Sequence, residues 1–237
     1  MHNQFNKTIK INFFILIFYP ITSIATNVID GTLDSIAILG DFQSVSPNLN
    51  KLRWQITEQA LTRDDSEKGP RLSENQISGQ LGQQFNTNTA IWLGYLHNWS
   101  YPLNNHGFHE NRTYQDLVLN TELGELNLTA RSRLDQRIRA DSNETGYRIR
   151  QSLVVNYRLS AINKNLSLFF GDELYGYLNN SAFGMTGLSE NRAQIGFAFQ
   201  INNQLTTELG YVADYLYSKT NNDILINNLL FNLRYRI

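Results

Sequence analysis

Residues 131–139 read RSRLDQRIR, and the next run of the same character, residues 147–158, reads YRIRQSLVVNYR. In the first stretch a charged residue stands at every second position, and in the second the alternate positions hold Arg148, Arg150 and Arg158 with Ser152 and Asn156. Apolar residues such as Leu134, Ile138, Ile149 and Leu153 stand on the opposite face. Side chains of a β-strand point alternately to its two faces. Each stretch is therefore predicted to be a strand with one charged face and one largely apolar face.

The period of two continues from about residue 33 to the carboxyl end, in runs broken by Asn, Gly, Asp and Pro. It predicts strands near residues 33–43, 50–62, 73–85, 89–100, 109–122, 125–139, 145–159, 165–177, 190–201, 204–217 and 225–237. Soluble strands usually have about five or six residues, whereas a tilted membrane strand has about 9 to 11. We therefore predict an all-β fold, an up-and-down antiparallel transmembrane β-barrel of about 10 to 12 strands.

Connections between the predicted strands alternate between short turns, such as residues 86–88 and 202–203, and longer polar loops, such as residues 101–108 and 178–189. Outer-membrane barrels have this layout, with short periplasmic turns and long external loops. Ten spans from residue 50 onward would begin and end in the periplasm. Segment 33–43 is then an extra strand, half of a hairpin that makes twelve strands, or a segment lying in the lumen.

The charged face of the strands is expected to point into the barrel, because a charge facing lipid at mid-membrane costs about 2 to 4 kcal/mol. The predicted lumen-lining residues are Arg112, Asp116, Arg131, Arg133, Asp135, Arg137, Arg139, Arg148, Arg150, Arg158, Glu173, Arg192, Glu208 and Arg234, and Glu74, Glu110, Glu122 and Asp214 share their face. Arginine pairs with carboxylates in a bidentate fashion. Two interpretations stay open: an envelope scaffold with a salt-bridged lumen, and a narrow channel for small polar or anionic solutes.

The first residues have the pattern of an export signal. Lys7 and Lys10 precede an apolar run over residues 11–21, and Ser23 and Ala25 supply small residues at a cleavage site. We predict a signal peptide over residues 1–25 and a barrel domain over residues 26–237. Together with the strand pattern, this predicts location in the bacterial outer membrane, in contact with its lipid and lipopolysaccharide.

Composition excludes several classes of function. The formal charge of the chain is -1 and there is no cysteine, which argues against a nucleic-acid partner, a disulfide scaffold and a thiolate metal site. No cofactor or metal site is predicted. The last residues, Leu229 to Ile237, are apolar at every second position, a pattern typical of the signal that the barrel-assembly machinery reads during biogenesis.

Two further alternatives follow from the residues. Ser100, His106, His109 and Glu110 lie close together in the sequence and could act in a surface lipid-modifying enzyme, with His97 near them. They have no recognisable catalytic spacing, so no catalytic residue is assigned. A soluble periplasmic lipocalin-like barrel would turn the apolar face inward instead, and a period of two does not distinguish these barrels.

Short motifs along most of the chain carry a resemblance to a known family. They are Trp54 with Glu58, the run from Arg131 to Arg137, Tyr147-Arg148 with Arg150, Asp172-Glu173-Leu174 and Asn191-Arg192. In these the chain resembles the outer-membrane β-barrels called domain of unknown function 2490. The resemblance implies a barrel fold and brings no activity or catalytic residue.

Overall fold

The computed structural model of the protein describes residues 27–64, 69–102, 106–142, 144–218 and 222–237. The predicted signal peptide, residues 1–25, lies outside them. Strands in the described part are β1 (Asn27–Asp41), β2 (Leu52–Asp64), β3 (Pro70–Gln84), β4 (Thr89–Ser100), β5 (Phe108–Leu123), β6 (Leu126–Arg139), β7 (Thr145–Arg158), β8 (Leu166–Tyr177), β9 (Gly187–Gln200), β10 (Leu205–Leu216) and β11 (Ile224–Arg236). A short 3-10 helix, Pro47–Leu49, follows β1.

The strands form one closed barrel in which each strand pairs with its neighbours in sequence and β1 pairs with β11. Eleven strands lie within the predicted range, so the all-β barrel is confirmed. Most strand bounds fall within three residues of the predicted ones, and β1 differs most because it begins at Asn27 instead of residue 33. Within the described residues, no helix is long and apolar enough to cross a membrane.

The barrel closes through a parallel pair. Successive strands alternate in direction, so an odd number of strands leaves the first and last running the same way. Leu33 accordingly lies beside Leu230 in a parallel register that extends from Asn27 to Leu39. The segment whose place the sequence leaves open is therefore an eleventh strand of the wall. The start of β1 and the end of β11 lie at opposite ends of the barrel.

The strands are strongly tilted, as barrel closure requires. Following cross-strand partners from Leu33 through β2, β3 and β4 leads to Phe108, at the start of β5. Following partners the other way, through β11 and back to β5, leads to Glu122, near the end of that strand. The offset between these two residues is the stagger that tilts the wall.

We call the end of the barrel with residues 85–88 and 124–125 the turn end, and the end with residues 178–186 the loop end. The predicted alternation in length is only partial. The β1–β2 connection at the turn end, residues 42–51, is longer than any connection at the loop end. Its 3-10 helix and the hydrogen bonds from Val45 and Ser46 to the Phe42 carbonyl give it its own compact structure.

Close packing of β4 against β5 inside the barrel requires a glycine at position 94. Gly94 of β4 lies opposite Tyr114 of β5, and the tyrosine ring crosses over it. A Cβ atom at position 94 would lie 2.2 Å from the ring of Tyr114. Only glycine fits at this position, and the ring that covers it reaches Gln80 of β3, to which the Tyr114 hydroxyl donates a hydrogen bond of 3.2 Å.

Candidate functional site

The interior of the loop-end half of the barrel is filled by paired charges. Glu110 is fully buried and accepts hydrogen bonds from Arg112 at 2.9 Å and from both Nε and Nη2 of Arg137, at 2.6 and 2.7 Å. Arg137 also donates to the hydroxyl of Tyr177. The Phe183 ring lies in the β8–β9 loop, and its centroid is 4.1 Å from the Arg137 guanidinium. This loop therefore covers the cluster on its loop-end side.

A second pair lies beside the first. Asp135 is fully buried, and its Oδ2 accepts hydrogen bonds from Nε and Nη2 of Arg148, at 3.0 and 2.8 Å. Arg148 in turn lies over the ring of Tyr175, 5.0 Å from its centroid. Cations are attracted to the face of an aromatic ring, so Tyr175 and the carboxylate together hold the guanidinium in place.

A third cluster lies near the middle of the barrel, where one carboxylate binds two arginines. Glu173 accepts hydrogen bonds from Arg150 at 2.9 Å to each of its oxygens, and from Arg131 at 2.8 Å. The Tyr175 hydroxyl donates to the same carboxylate at 2.9 Å. In the neighbouring pair, Arg133 binds both oxygens of Asp116, each at 2.6 Å.

The paired polar side chains continue through β9, β10 and β11 to β2. Arg192 binds Asp214 at 2.5 Å and Glu190 at 3.0 Å. Asp214 also accepts from the amide of Asn228, and the Asn228 carbonyl oxygen accepts from Arg63 at 2.8 Å. Charged and amide side chains from β2 and from β5 to β11 therefore form one buried layer along the inner wall of the barrel.

Ion pairs nearer the turn end have longer N–O distances and greater exposure to solvent than the pairs in the buried layer. Arg158 meets Glu122 at 3.3 Å with side chains 46% and 65% exposed, and Arg234 meets Glu208 at 3.5 Å. Solvent reaches the interior from this end, and exposed pairs of this kind contribute little to stability. Arg139 pairs instead at the loop-end rim with Asp141, and its hydrogen bond holds the pKa of that carboxyl below its ordinary value.

The structure places all fourteen sequence-predicted residues on the inner side or at its rims, and it divides them into a buried layer and exposed rim pairs. The prediction misses three partners in the layer: Arg63, Glu190 and Asn228. Alternation could have found all three, because Asn228 shares the inner face of the last predicted strand with Arg234. Arg63 lies one residue beyond the predicted end of β2, and Glu190 lies at the predicted start of β9.

An apolar layer and a cavity complete the interior. A buried apolar cluster joins five strands, with Leu33 of β1, Leu61 of β2, Phe169 of β8, Val212 of β10 and Leu230 of β11. Toward the turn end lies a cavity of about 550 Å³ whose walls combine amide and hydroxyl side chains with charged and apolar ones, and Arg131, Arg133 and Arg150 lie at its inner end. This volume is in the range of small-molecule sites, about 300 to 1,000 Å³.

The residues considered for surface catalysis are not brought together. Ser100 and Glu110 point into the barrel and are buried, and the Glu110 carboxylate is occupied by two arginines. His97 and His109 lie on the outer face, where their ring centroids are 5.7 Å apart. The wall of the barrel separates the hydroxyl and the carboxylate from these two imidazoles. Among the described residues there is also no group of three metal-ligating side chains.

Comparison with known proteins gives a family without an assigned activity. The profile of DUF2490, described as a protein of unknown function, matches residues 35–224. An uncharacterised protein of Methylorubrum extorquens is 25% identical over 146 residues, which span 60% of this chain and 63% of that relative. No solved structure matches the chain at a significant level.

Proposed function

The chain belongs to the DUF2490 family of proteins of unknown function, and from its interior geometry we propose that it is an integral barrel of the bacterial outer membrane. Its lumen is closed by ion pairs, and it serves as an envelope scaffold. Lipid and lipopolysaccharide surround it, and the barrel-assembly machinery inserts it. The carboxyl end of β11 supports this route, because Leu229, Phe231 and Tyr235 alternate along it with their side chains exposed on the outer side.

The outer face of the barrel supports a membrane location. Large apolar side chains are exposed on it all the way around, among them Ile38, Leu93, Ile149, Phe197 and Leu209. Phe197 is 52% exposed in β9. Exposed apolar patches on soluble monomers rarely exceed a few hundred Å², whereas a lipid-facing wall is apolar by necessity. A soluble lipocalin-like barrel requires the opposite arrangement, with the apolar face inside.

Polar side chains interrupt this outer face in a few places, and several of them bind each other. Gln115 and Gln136 exchange two amide hydrogen bonds of 3.1 and 3.0 Å. Asp172 accepts from Asn191 at 2.7 Å. Pairing reduces the cost of polar groups in an apolar surrounding, so these positions are compatible with a lipid-facing wall.

The single observation that carries the scaffold proposal is the burial of the paired charges inside the barrel. Glu110, Asp135, Asp214 and Asn228 are at most 1% exposed, so water does not reach these groups. Arginines that line a conducting pore must face water to attract anions, and here the most deeply placed ones are held by carboxylates. The anion channel is therefore the weaker candidate, and a structural core is the stronger one.

Location is tested by fractionating the bacterial envelope and running the protein on gels with and without heating. We expect the chain in the outer-membrane fraction, migrating faster before heating because the folded barrel resists the detergent. Recovery of a folded barrel in the soluble periplasmic fraction would contradict the membrane proposal and favour the soluble alternative.

A further inference from the structure

We propose that the turn-end cavity is a binding site for a small, neutral, polyhydroxylated solute such as a sugar. The site is built from the interior alone and would exist wherever the barrel resides. Toward the loop end it is bounded by the ion-paired residues Arg133, Arg150 and Glu173. It opens toward the turn end, where Arg53, Arg158 and Arg234 have side chains between 39% and 50% exposed.

One wall of the cavity is a regular grid of neutral polar side chains on β2 and β3. Three cross-strand pairs lie side by side: Gln55 with Gln80, Thr57 with Ser78, and Gln59 with Gln76. All six residues line the cavity. Amides and hydroxyls both donate and accept hydrogen bonds, as the hydroxyls of a polyol do, so the grid matches a ligand that needs both functions at closely spaced positions.

The grid keeps hydrogen-bonding capacity for a ligand. Gln55 donates its amide to Thr57 at 2.9 Å, and Gln80 accepts from Tyr114 at 3.2 Å. Within the described residues, no partner occupies the carbonyl oxygen of Gln55 or the amide nitrogen of Gln80. These two groups lie on directly paired residues, so one acceptor and one donor are adjacent on the wall.

Charge in the cavity is already matched, and this argues for a neutral ligand. Arg133 is bound to both oxygens of Asp116, and Arg150 and Arg131 share Glu173. An anion would have to compete with these carboxylates, and a cation would have to compete with the arginines. The cavity also has apolar surface that suits the C–H faces of a sugar ring, from Phe169, Val118 and Val154.

The test is isothermal titration calorimetry of the full chain, folded in a detergent without a sugar headgroup. The probes are glucose, maltose and myo-inositol as neutral polyols, gluconate as an anion and choline as a cation. We expect at least one neutral polyol to bind more tightly than either ion. The double variant Gln55→Leu/Gln80→Leu should weaken it by about tenfold, because it removes two hydrogen-bonding groups that face the ligand.

The matched control removes two side-chain amides from the outer face of the barrel instead of from the cavity. Gln115→Leu/Gln136→Leu deletes an amide pair outside the barrel and should leave binding within about twofold, since each outer amide is far from the ligand. Heat-modifiable migration checks that each variant is folded. If the inner glutamine variant does not fold, the smaller change Thr57→Val/Ser78→Ala replaces it. Absence of binding by all three polyols, tighter binding of an ion, or equal binding by the folded inner and outer variants would overturn the proposal.

Discussion

Arg137 binds Glu110 through two parallel hydrogen bonds, from Nε to Oε1 at 2.6 Å and from Nη2 to Oε2 at 2.7 Å, inside a barrel where Glu110 has no exposed surface. β5 and β6 bring these residues close, since Arg137 lies opposite Arg112 and diagonally across from Glu110. Desolvating two charges is costly, and only close geometry and further hydrogen bonds offset it. The stability of this ion pair therefore depends on the geometry in which β5 and β6 hold the two side chains.

Removing the Glu110 charge should destabilise the barrel strongly. Glu110→Gln leaves Arg112 and Arg137 without their carboxylate, and a broken buried pair costs about 3 to 5 kcal/mol. Glu122→Gln is the matched control, because Glu122 pairs with Arg158 at the exposed turn end and such a pair contributes about 0 to 1 kcal/mol. Urea unfolding of both variants measures the difference. Equal losses would show that burial does not decide the strength of these pairs.

A charge on the outer face should block assembly, whereas the same charge inside should be tolerated. Phe197→Arg places a guanidinium on the exposed apolar face of β9, where a charge facing lipid costs up to about 2 to 4 kcal/mol depending on its depth. Gln194→Arg places it in the cavity, on the same strand. The yield of heat-modifiable barrel in the membrane fraction is the measurement. Similar yields from both variants would contradict the assignment of the outer face to lipid.

Removing a carboxylate from the outer face gives the converse test, in which stability should rise. Glu58 lies at the centre of β2 on the outer face, paired across the sheet with Ile36 and Ile77. If lipid surrounds this face, Glu58→Leu should raise the free energy of unfolding in lipid vesicles, because it removes a charge from an apolar surrounding. Glu122→Leu, at the exposed turn end, serves as the control and should not raise it. A lower stability of Glu58→Leu would indicate that this face contacts water or a polar partner.

The sequence predicts the wall better than the interior. Alternation in residues 131–139 and 147–158 is enough to place the arginines on one face, because a period of two is local. It does not tell which carboxylate each arginine binds, because that depends on the stagger between strands. Arg192 illustrates this: alternation places it on the inner face, but it does not show that Arg192 binds Asp214 of β10 and Glu190 of its own strand.

The closure and the cavity also lie beyond the sequence pattern. Parallel pairing of β1 with β11 joins segments at the two ends of the described chain, and no local signal specifies such a contact. The cavity exists because small polar side chains such as Thr57 and Ser78 meet across β2 and β3. Their spacing is visible in the sequence, but their register is not.

Conductance in planar lipid bilayers tests the closed lumen most directly. A variant that removes two pairs together, Asp116→Ser/Arg133→Ser/Asp135→Ser/Arg148→Ser, deletes both members of each pair and shortens four side chains in the closed layer. We expect the folded wild-type barrel to show no conductance steps and the folded variant to conduct. Anion-preferring steps from the folded wild-type protein would contradict the account and establish the channel instead.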